Sequence, residues 1–509
     1  MENTNAIELK NITKRFGKVV ANSGVNLTLQ KGEILSILGE NGSGKTTLMN
    51  MLSGIYFPDE GQIFVNGKEV LIRSPKDSFE LGIGMIHQHF KLVDVLTAAE
   101  NVILGLKGKD ILKMSAIEKE IKELIDSYGF ELNPSQKIYD MSVSQKQTVE
   151  IIKVLYRGAN ILILDEPTAV LTPQETEKLF HVLRNMRAAG KSIIIITHKL
   201  NEVLELSDRV SVLRKGEYVG TVNTKDATVE SLTEMMVGEK VSLNIERTDP
   251  VNPVDRICVK DLICRNEEGI AVVDDISFTA RSGEILGVAG IAGNGQKELL
   301  EAIAGLQEIE SGSITYYPPD GKEELLSSMK AAKIRDLGVH MAFVPEDRLG
   351  MGLVGAMDMT DNMMIRGYQE GKSPLVDRKK PRKLAQTIIK KLQVVTPGVN
   401  TPVGRLSGGN VQKVLVGREI ASNPIVLMVA YPVRGLDINS SYTIYNLLNE
   451  QKQKGVAVIC VGEDLDMLLE LCDKIMVLSG GRVSGVVDAR TASKEEIGLL
   501  MTTHASKEE

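Results

Sequence analysis

Short apolar runs of strand length recur along the chain, several of them followed by a segment whose apolar positions keep helical spacing. Glu33-Ile34-Leu35-Ser36-Ile37-Leu38 is apolar and partly β-branched, which predicts a strand. Thr47-Leu48-Met49-Asn50-Met51-Leu52 behind it predicts a helix with one apolar face. Runs at 161–164 and 192–197 read as buried strands, and 118–128 has helical character. Residues 379–392 are helix-prone and strongly basic, which reads as a solvated helix face.

Length and charge narrow the picture. A chain of 509 residues exceeds the size at which a single core stops growing, about 250–300 residues, so more than one domain is expected. Its 43% apolar and 25% charged residues are ordinary for a globular protein. The net charge of −7 argues against a general nucleic-acid binder. The start, Met1-Glu2-Asn3-Thr4-Asn5, is polar and reads as no signal peptide. Apolar runs such as 193–196 fall far short of the roughly 20 residues that span a bilayer, so any work at a membrane is expected from its surface, through partners. Cys258, Cys264, Cys460 and Cys472 show no C-x-x-C spacing and read as small buried residues of a reducing compartment.

Against this background stands Gly39-Glu40-Asn41-Gly42-Ser43-Gly44-Lys45-Thr46, a complete G-x-x-x-x-G-K-T loop between the predicted strand and helix. Backbone N–H groups of such a turn form a nest for phosphates, at the positive end of the helix that follows. Lys45 would bridge the β- and γ-phosphates, and the Thr46 hydroxyl would ligate Mg²⁺. A second copy begins 251 residues later, Gly290-Ile291-Ala292-Gly293-Asn294-Gly295-Gln296-Lys297, with glutamine for the lysine and lysine for the threonine. Ile161-Leu162-Ile163-Leu164-Asp165-Glu166-Pro167 is echoed 265 residues on by Val426-Leu427-Met428-Val429-Ala430-Tyr431-Pro432. Ser142-Val143-Ser144 is echoed by Ser407-Gly408-Gly409, and His198 falls opposite Glu463. The halves are placed at 1–240 and 255–505. A Pro-containing connector, 241–254, is expected between them.

The order of these motifs resembles the ABC ATPases twice over: phosphate loop, glutamine loop Ile86-His87-Gln88-His89, signature near residue 142, Asp165-Glu166, then a lone histidine after a strand. Val344-Pro345-Glu346-Asp347-Arg348 and Val433-Arg434-Gly435-Leu436-Asp437 are similar to the fused double ATPase subunits of bacterial simple-sugar and nucleoside importers. The 85–93 segment resembles the nucleoside branch. The resemblance implies an α/β fold of two P-loop domains in tandem, each with an antiparallel β subdomain and a helical insertion, the first running from 90 to 157. It implies ATP and Mg²⁺ as ligands. Thr47 would join the loop in holding nucleotide, Gln88 and Asp165 would join Thr46 at the metal, and Gln88 would sense the γ-phosphate. Glu166 would activate or position water, and His198 would steady the transferring phosphate. Phe16 reads as a stacking platform for adenine or as a core residue.

The second half loses Lys45 to Gln296, Thr46 to Lys297, Asp165 to Ala430, Glu166 to Tyr431, Gln88 to Glu346 and His198 to Glu463. It keeps Leu406-Ser407-Gly408-Gly409-Asn410 and Asp437, whereas the first half has Met141-Ser142-Val143-Ser144-Gln145 and Thr172 at those places. In the resembled family each site is composite, the loop of one half facing the signature of the other. Every lost group then lines one site, and Ser407, Gly408, Gly409, Asn410 and Asp437 complete the other. The implied function is the ATP-hydrolysing subunit of a bacterial nucleoside importer; the alternatives are a simple-sugar importer, a soluble non-transport ABC protein and a regulatory module with little turnover. The implied partners are two transmembrane permease subunits and, indirectly, an extracytoplasmic binding protein. No nucleic acid is implied, and membrane contact at the cytoplasmic face runs only through the permease.

Overall fold

The structure is a computed structural model. It describes the chain apart from residues 1–4, 88–89, 107–112, 170, 240–244, 246, 267, 292, 344–347, 368–375 and 504–509. Residue contacts divide the chain into two units, Met1–Ser242 and Leu243–Glu509.

In the first unit the run behind the phosphate loop forms the strand Ile34–Leu38, parallel to Ser192–Ile196 on one side and Arg209–Arg214 on the other. Ile161–Asp165 and Ile83–Ile86 extend this sheet in parallel, and Glu217–Asn223 closes the far edge antiparallel. Burial on both faces explains why these strands read as unbroken apolar runs rather than as alternation. Successive residues still face opposite layers. Ile34, Leu162, Leu164, Ile193 and Ile195 pack with the helical part, including Ile117, Ile121 and Ile125. Leu35, Ile37, Ile161, Ile163, Ile194 and Ile196 pack with Leu48, Met49 and Leu52 of the helix Lys45–Leu52. The same layer takes in Leu9, Leu27 and Ile63 of a four-stranded antiparallel sheet, Asn5–Phe16, Val19–Gln30, Glu60–Val65 and Lys68–Val70. The loops after Leu38, Ile86, Asp165 and Ile196 all leave from the C-terminal ends of parallel strands, the edge where such sheets bind ligands.

The second unit repeats the plan. Ile285–Gly290 lies between Ala457–Val461 and Lys474–Ser479, Val426–Ala430 and Val339–Phe343 continue in parallel, and Arg482–Asp488 closes the edge. Asp255–Arg265, Ala271–Arg281, Ser311–Tyr316 and Glu324–Leu325 form its antiparallel sheet.

Both expected helices form. Met114–Tyr128 buries Ile117, Ile121 and Ile125, and stops at Gly129, whose φ of 81° ends the helix in the left-handed region. Lys379–Lys391 buries Ala385 and Ile388 and leaves its basic face exposed. The stretch expected as a connector is largely bound to the second unit. Ile245 lies in that unit's core, and Arg247 donates to the carbonyls of Leu469 (2.9 Å) and Cys472 (2.6 Å). The buried Lys452 ammonium bridges the Thr248 carbonyl and Asp473 at 2.5 and 2.7 Å, so the strap satisfies a cation that packing has cut off from water. Among the described residues no helix is long and apolar enough to cross a membrane.

Candidate nucleotide site

The phosphate loop needs its glycines for steric reasons. Gly39 and Gly44 hold φ of 157° and 94°, and a Cβ at either would lie 2.2 Å from the Leu213 carbonyl oxygen or 2.3 Å from that of Ala21. The loop therefore closes against neighbouring backbone, and Glu40, Asn41 and Gly42 are left at the surface or half-buried. Gly44 caps the helix N-terminus and Lys45 is its first residue. The Lys45 side chain is buried, its ammonium donating to the carbonyls of Gly39 (2.6 Å) and Glu40 (3.0 Å). Burial holds that ammonium below the usual lysine range, while Glu166, Asp165 and Glu40 pull the other way. Among the described residues the buried Ser43 hydroxyl has no hydrogen-bond partner. Thr46 is exposed and Thr47 half-buried.

Asp165 ends its strand beside this loop. Burial, then the neighbouring Glu166 charge, push its carboxyl up to about 6; a hydrogen bond with the Thr46 hydroxyl and the Lys45 charge oppose the rise. A carboxyl raised from 3.8 to about 6 makes the fold most stable while protonated. That stability is lost as pH rises from about 3.8 to about 6, by an amount on the order of 3 kcal/mol. Asp165→Asn is therefore expected to raise the melting temperature of the nucleotide-free chain by a few degrees at pH 8. The gain should shrink as pH falls below about 6 and vanish near pH 4. An asparagine variant that melts below the parent at pH 8 would refute this.

Glu166 follows in a left-handed backbone conformation, φ 47°, fixed by its N–H donating 2.8 Å to the Ile196 carbonyl. That turn brings its carboxylate to His198, Nδ1 lying 2.9 Å from Oε1. Burial alone would raise the Glu166 carboxyl, but the His198 bond and charge, with Lys45 and Lys199, outweigh it and hold the group below its usual range. Lys45, Thr46, Asp165, Glu166 and His198 are thus gathered at one sheet edge. Gln88 lies outside the described residues, as does Glu346. Phe16 is no core residue: it is 43% exposed and meets Tyr56 edge-to-face, centroids 5.1 Å apart. Sequence reading missed Tyr56, and it missed Lys199, whose ammonium lies 3.0 Å from both the Thr168 carbonyl and Glu202. The signal available for Lys199 was its replacement by Asp464 in the repeat.

The second unit keeps the backbone but has Gln296, Ala430, Tyr431 and Glu463 in place of Lys45, Asp165, Glu166 and His198. Gly293 and Gly295 hold φ of 92° and 91°, and Tyr431 repeats the Glu166 turn with φ 48° and a 2.8 Å bond to the Val461 carbonyl. Gln296 is buried and donates to the Ile291 carbonyl at 3.0 Å, while Lys297 points to Glu301. Ala430 is buried, and the Tyr431 ring carries Arg434 5.7 Å from its centroid, itself 3.5 Å from Glu463. Asn266 follows Arg265 where Phe16 follows Arg15, and Gln307 donates to the Arg265 carbonyl, so the aromatic pair is gone too.

The signatures also differ in shape. Ser142 caps the helix Val143–Tyr156 through a reciprocal pair with Gln145, which engages its hydroxyl. Ser407 precedes the helix Gly408–Ala421 without such a bond, its hydroxyl accepting from the Asn410 side chain at 2.8 Å. Gly409 faces Asp437, whose carboxylate caps the helix Ile438–Gln453 through the Ser440 N–H and hydroxyl, both at 2.7 Å. Thr172 caps the matching helix of the first unit with Glu175.

Fold and chemistry together define a P-loop nucleoside triphosphatase, followed in the same chain by a copy that lacks the loop lysine, the paired acids and the histidine. The sequence pattern of the family described as "ABC transporter" matches residues 22–169 and 273–432, once in each unit. The chain belongs to this family, as a tandem ATP-binding subunit that hydrolyses ATP. It is 43% identical over 508 residues to the nucleoside import ATP-binding protein NupA of Lactococcus lactis, covering 98% of this chain and 99% of that one. It is 41% identical to the guanosine import ATP-binding protein NupO of Bacillus subtilis, covering 99% and 98%. It is 37% identical to the ribose import ATP-binding protein RbsA 1 of Rubrobacter xylanophilus, covering 97% and 98%.

Proposed function

We propose that this chain energises a nucleoside importer, hydrolysing ATP on the first unit's loop while the second unit supplies the signature that closes over it. The observation that carries this reading is the segregation of losses. The first unit has Lys45, Thr46, Asp165, Glu166 and His198 but neither signature glycine, and the second has Ser407, Gly408, Gly409 and Asp437 but none of the charges. Decay at random would scatter losses over both cross-paired sites.

The first unit's residues fit a nucleotide with a divalent cation. The partnerless Ser43 hydroxyl and the Lys45 ammonium, bonded only to carbonyls among the described residues, suit phosphate oxygens. The raised Asp165 carboxyl beside Thr46 suits a cation, which would favour its ionised form. Mg²⁺, held by Thr46, Asp165 and Gln88, would neutralise charge on the transferring phosphate. Lys45 holds the β- and γ-phosphates, the nest N–H groups take the remaining oxygens, and Phe16 offers its exposed face to adenine. Glu166 orients and deprotonates the attacking water, and His198 both steadies Glu166 and contacts the γ-phosphate. Closure on ATP and opening after hydrolysis would drive permease motion.

Two transmembrane permease subunits, met by this chain at the cytoplasmic face of the membrane, are the proposed partners, with an extracytoplasmic binding protein acting through them and no nucleic acid. Nucleoside relatives similar over the full length favour that cargo. The ribose relative favours a simple sugar as the second reading. Transport by the assembled complex, nucleosides against pentoses and hexoses, separates the two.

Gly409→Asp tests the cross-pairing. Its added carboxylate would sit near Asp437 and Ser440, 3.4 Å from the Cβ position, and would face the γ-phosphate. Turnover is expected to fall at least a hundredfold although the change lies in the unit without catalytic charges. Wild-type turnover in this variant would refute the pairing.

A further inference from the structure

The bond between His198 and Glu166 joins two loops, and something must fix their spacing. His198 itself cannot, since its side chain is half exposed. At the strand ends the loops are tied by the Glu166 N–H to the Ile196 carbonyl, 2.8 Å, but this tie is also present in the second unit, between Tyr431 and Val461. What differs lies one residue beyond His198.

We propose that Lys199 is a positioning residue for hydrolysis: its ammonium staples the loop carrying His198 to the loop carrying Glu166 and sets the distance between them. The ammonium has three N–H donors and meets three acceptors, the Thr168 carbonyl at 3.0 Å, the Thr168 hydroxyl at 3.4 Å and Glu202 at 3.0 Å. The Thr168 hydroxyl, almost fully buried, donates in turn to the other Glu202 oxygen at 2.6 Å. The Lys199 N–H is held by the buried Thr197 hydroxyl at 3.1 Å, so the stem of the side chain starts from a fixed point. Going outward from the sheet, the two loops are bridged by Glu166 N–H to Ile196, then His198 to Glu166, then Lys199 to Thr168. The catalytic contact lies between a backbone tie and this staple.

The repeat provides an internal comparison. Val433, Asp464 and Met467 stand where Thr168, Lys199 and Glu202 stand in the first unit. Asp464 turns to its own helix and accepts from the N–H groups of Asp466 and Met467. The backbone tie survives where there is no acid–histidine pair to position. The staple is present where there is one. This inference rests on the reading of Glu166 and His198 as the hydrolytic pair.

The test uses the purified full chain and steady-state ATP hydrolysis. Lys199→Met should lower kcat about tenfold or more, because small displacements of a catalytic group are costly, while KM for ATP stays within about twofold. Lys199→Arg, which can still bridge Thr168 and Glu202, should restore most of the loss. Wild-type kcat in Lys199→Met overturns the proposal, as does a loss carried by KM instead of kcat. Should Lys199→Met fail to fold, Thr168→Val removes the hydroxyl corner and keeps the carbonyl. It should lower kcat about threefold, and an unchanged kcat overturns the proposal. Glu166→Gln serves as the control. A fully active Glu166→Gln refutes the underlying catalytic reading, whereas a dead Glu166→Gln beside an active Lys199→Met refutes the staple alone.

Discussion

Replacing Lys45 with alanine is expected to stop ATP hydrolysis by the whole chain, at least a hundredfold down, whereas Gln296→Ala leaves it within about twofold. The asymmetry follows from what each side chain can offer a phosphate. Lys45 is a buried cation at a helix N-terminus, and charge-assisted bonds of this kind are each worth about 1.5–3 kcal/mol, so losing two is worth about 10² to 10⁴ in rate. Gln296 is a neutral amide already engaged by the Ile291 carbonyl, next to a Lys297 drawn to Glu301. Stability should not blur the comparison, because burial already penalises the Lys45 ammonium in the nucleotide-free chain. Steady-state hydrolysis together with melting curves checks both variants. A Gln296→Ala chain that stays folded but loses activity would mean that the second loop holds working nucleotide, and the one-site reading would fall.

Glu166→Gln should have the next largest effect, a fall in kcat of about a thousandfold with ATP affinity retained. The carboxylate is held ionised beside His198 at 2.9 Å and points from a turn that Tyr431 reproduces, so the backbone does not depend on the acid. Glutamine keeps an oxygen for His198 and removes the ability to take a proton. The variant should therefore bind nucleotide and fail to release it as product, seen as one ATP retained per chain after gel filtration. Rapid turnover by Glu166→Gln would move the base elsewhere in the pocket.

The loss of both residues from the second half could be read before any fold was known, because Gln296 stands 251 residues after Lys45 and Tyr431 stands 265 after Glu166, each at its motif's own offset. The strands were also legible, since burial on both faces writes an unbroken apolar run such as 161–164. Phe16 shows where legibility ended. An aromatic residue after a strand suits core or surface equally, and its partner Tyr56 is 40 residues away with no periodic signal joining them. The connector shows the same limit: prolines at 250 and 253 mark a break, but the capture of Arg247 by carbonyls more than 200 residues on leaves no trace in composition.

By itself the sequence determined the phosphate nest, the duplication, and which half kept charges and which kept signature glycines. Each of these is a local backbone requirement or a residue type at a set spacing. Tertiary structure alone decided that Asp165 is raised to about 6, that Glu166 turns left-handed to reach His198, and that Lys199 spans to Thr168. Those outcomes depend on two parallel strands lying in register, with Asp165 opposite Ile196. Register brings residues about thirty apart within hydrogen-bond reach, and it comes from the packing of whole strands rather than from any short run of side chains.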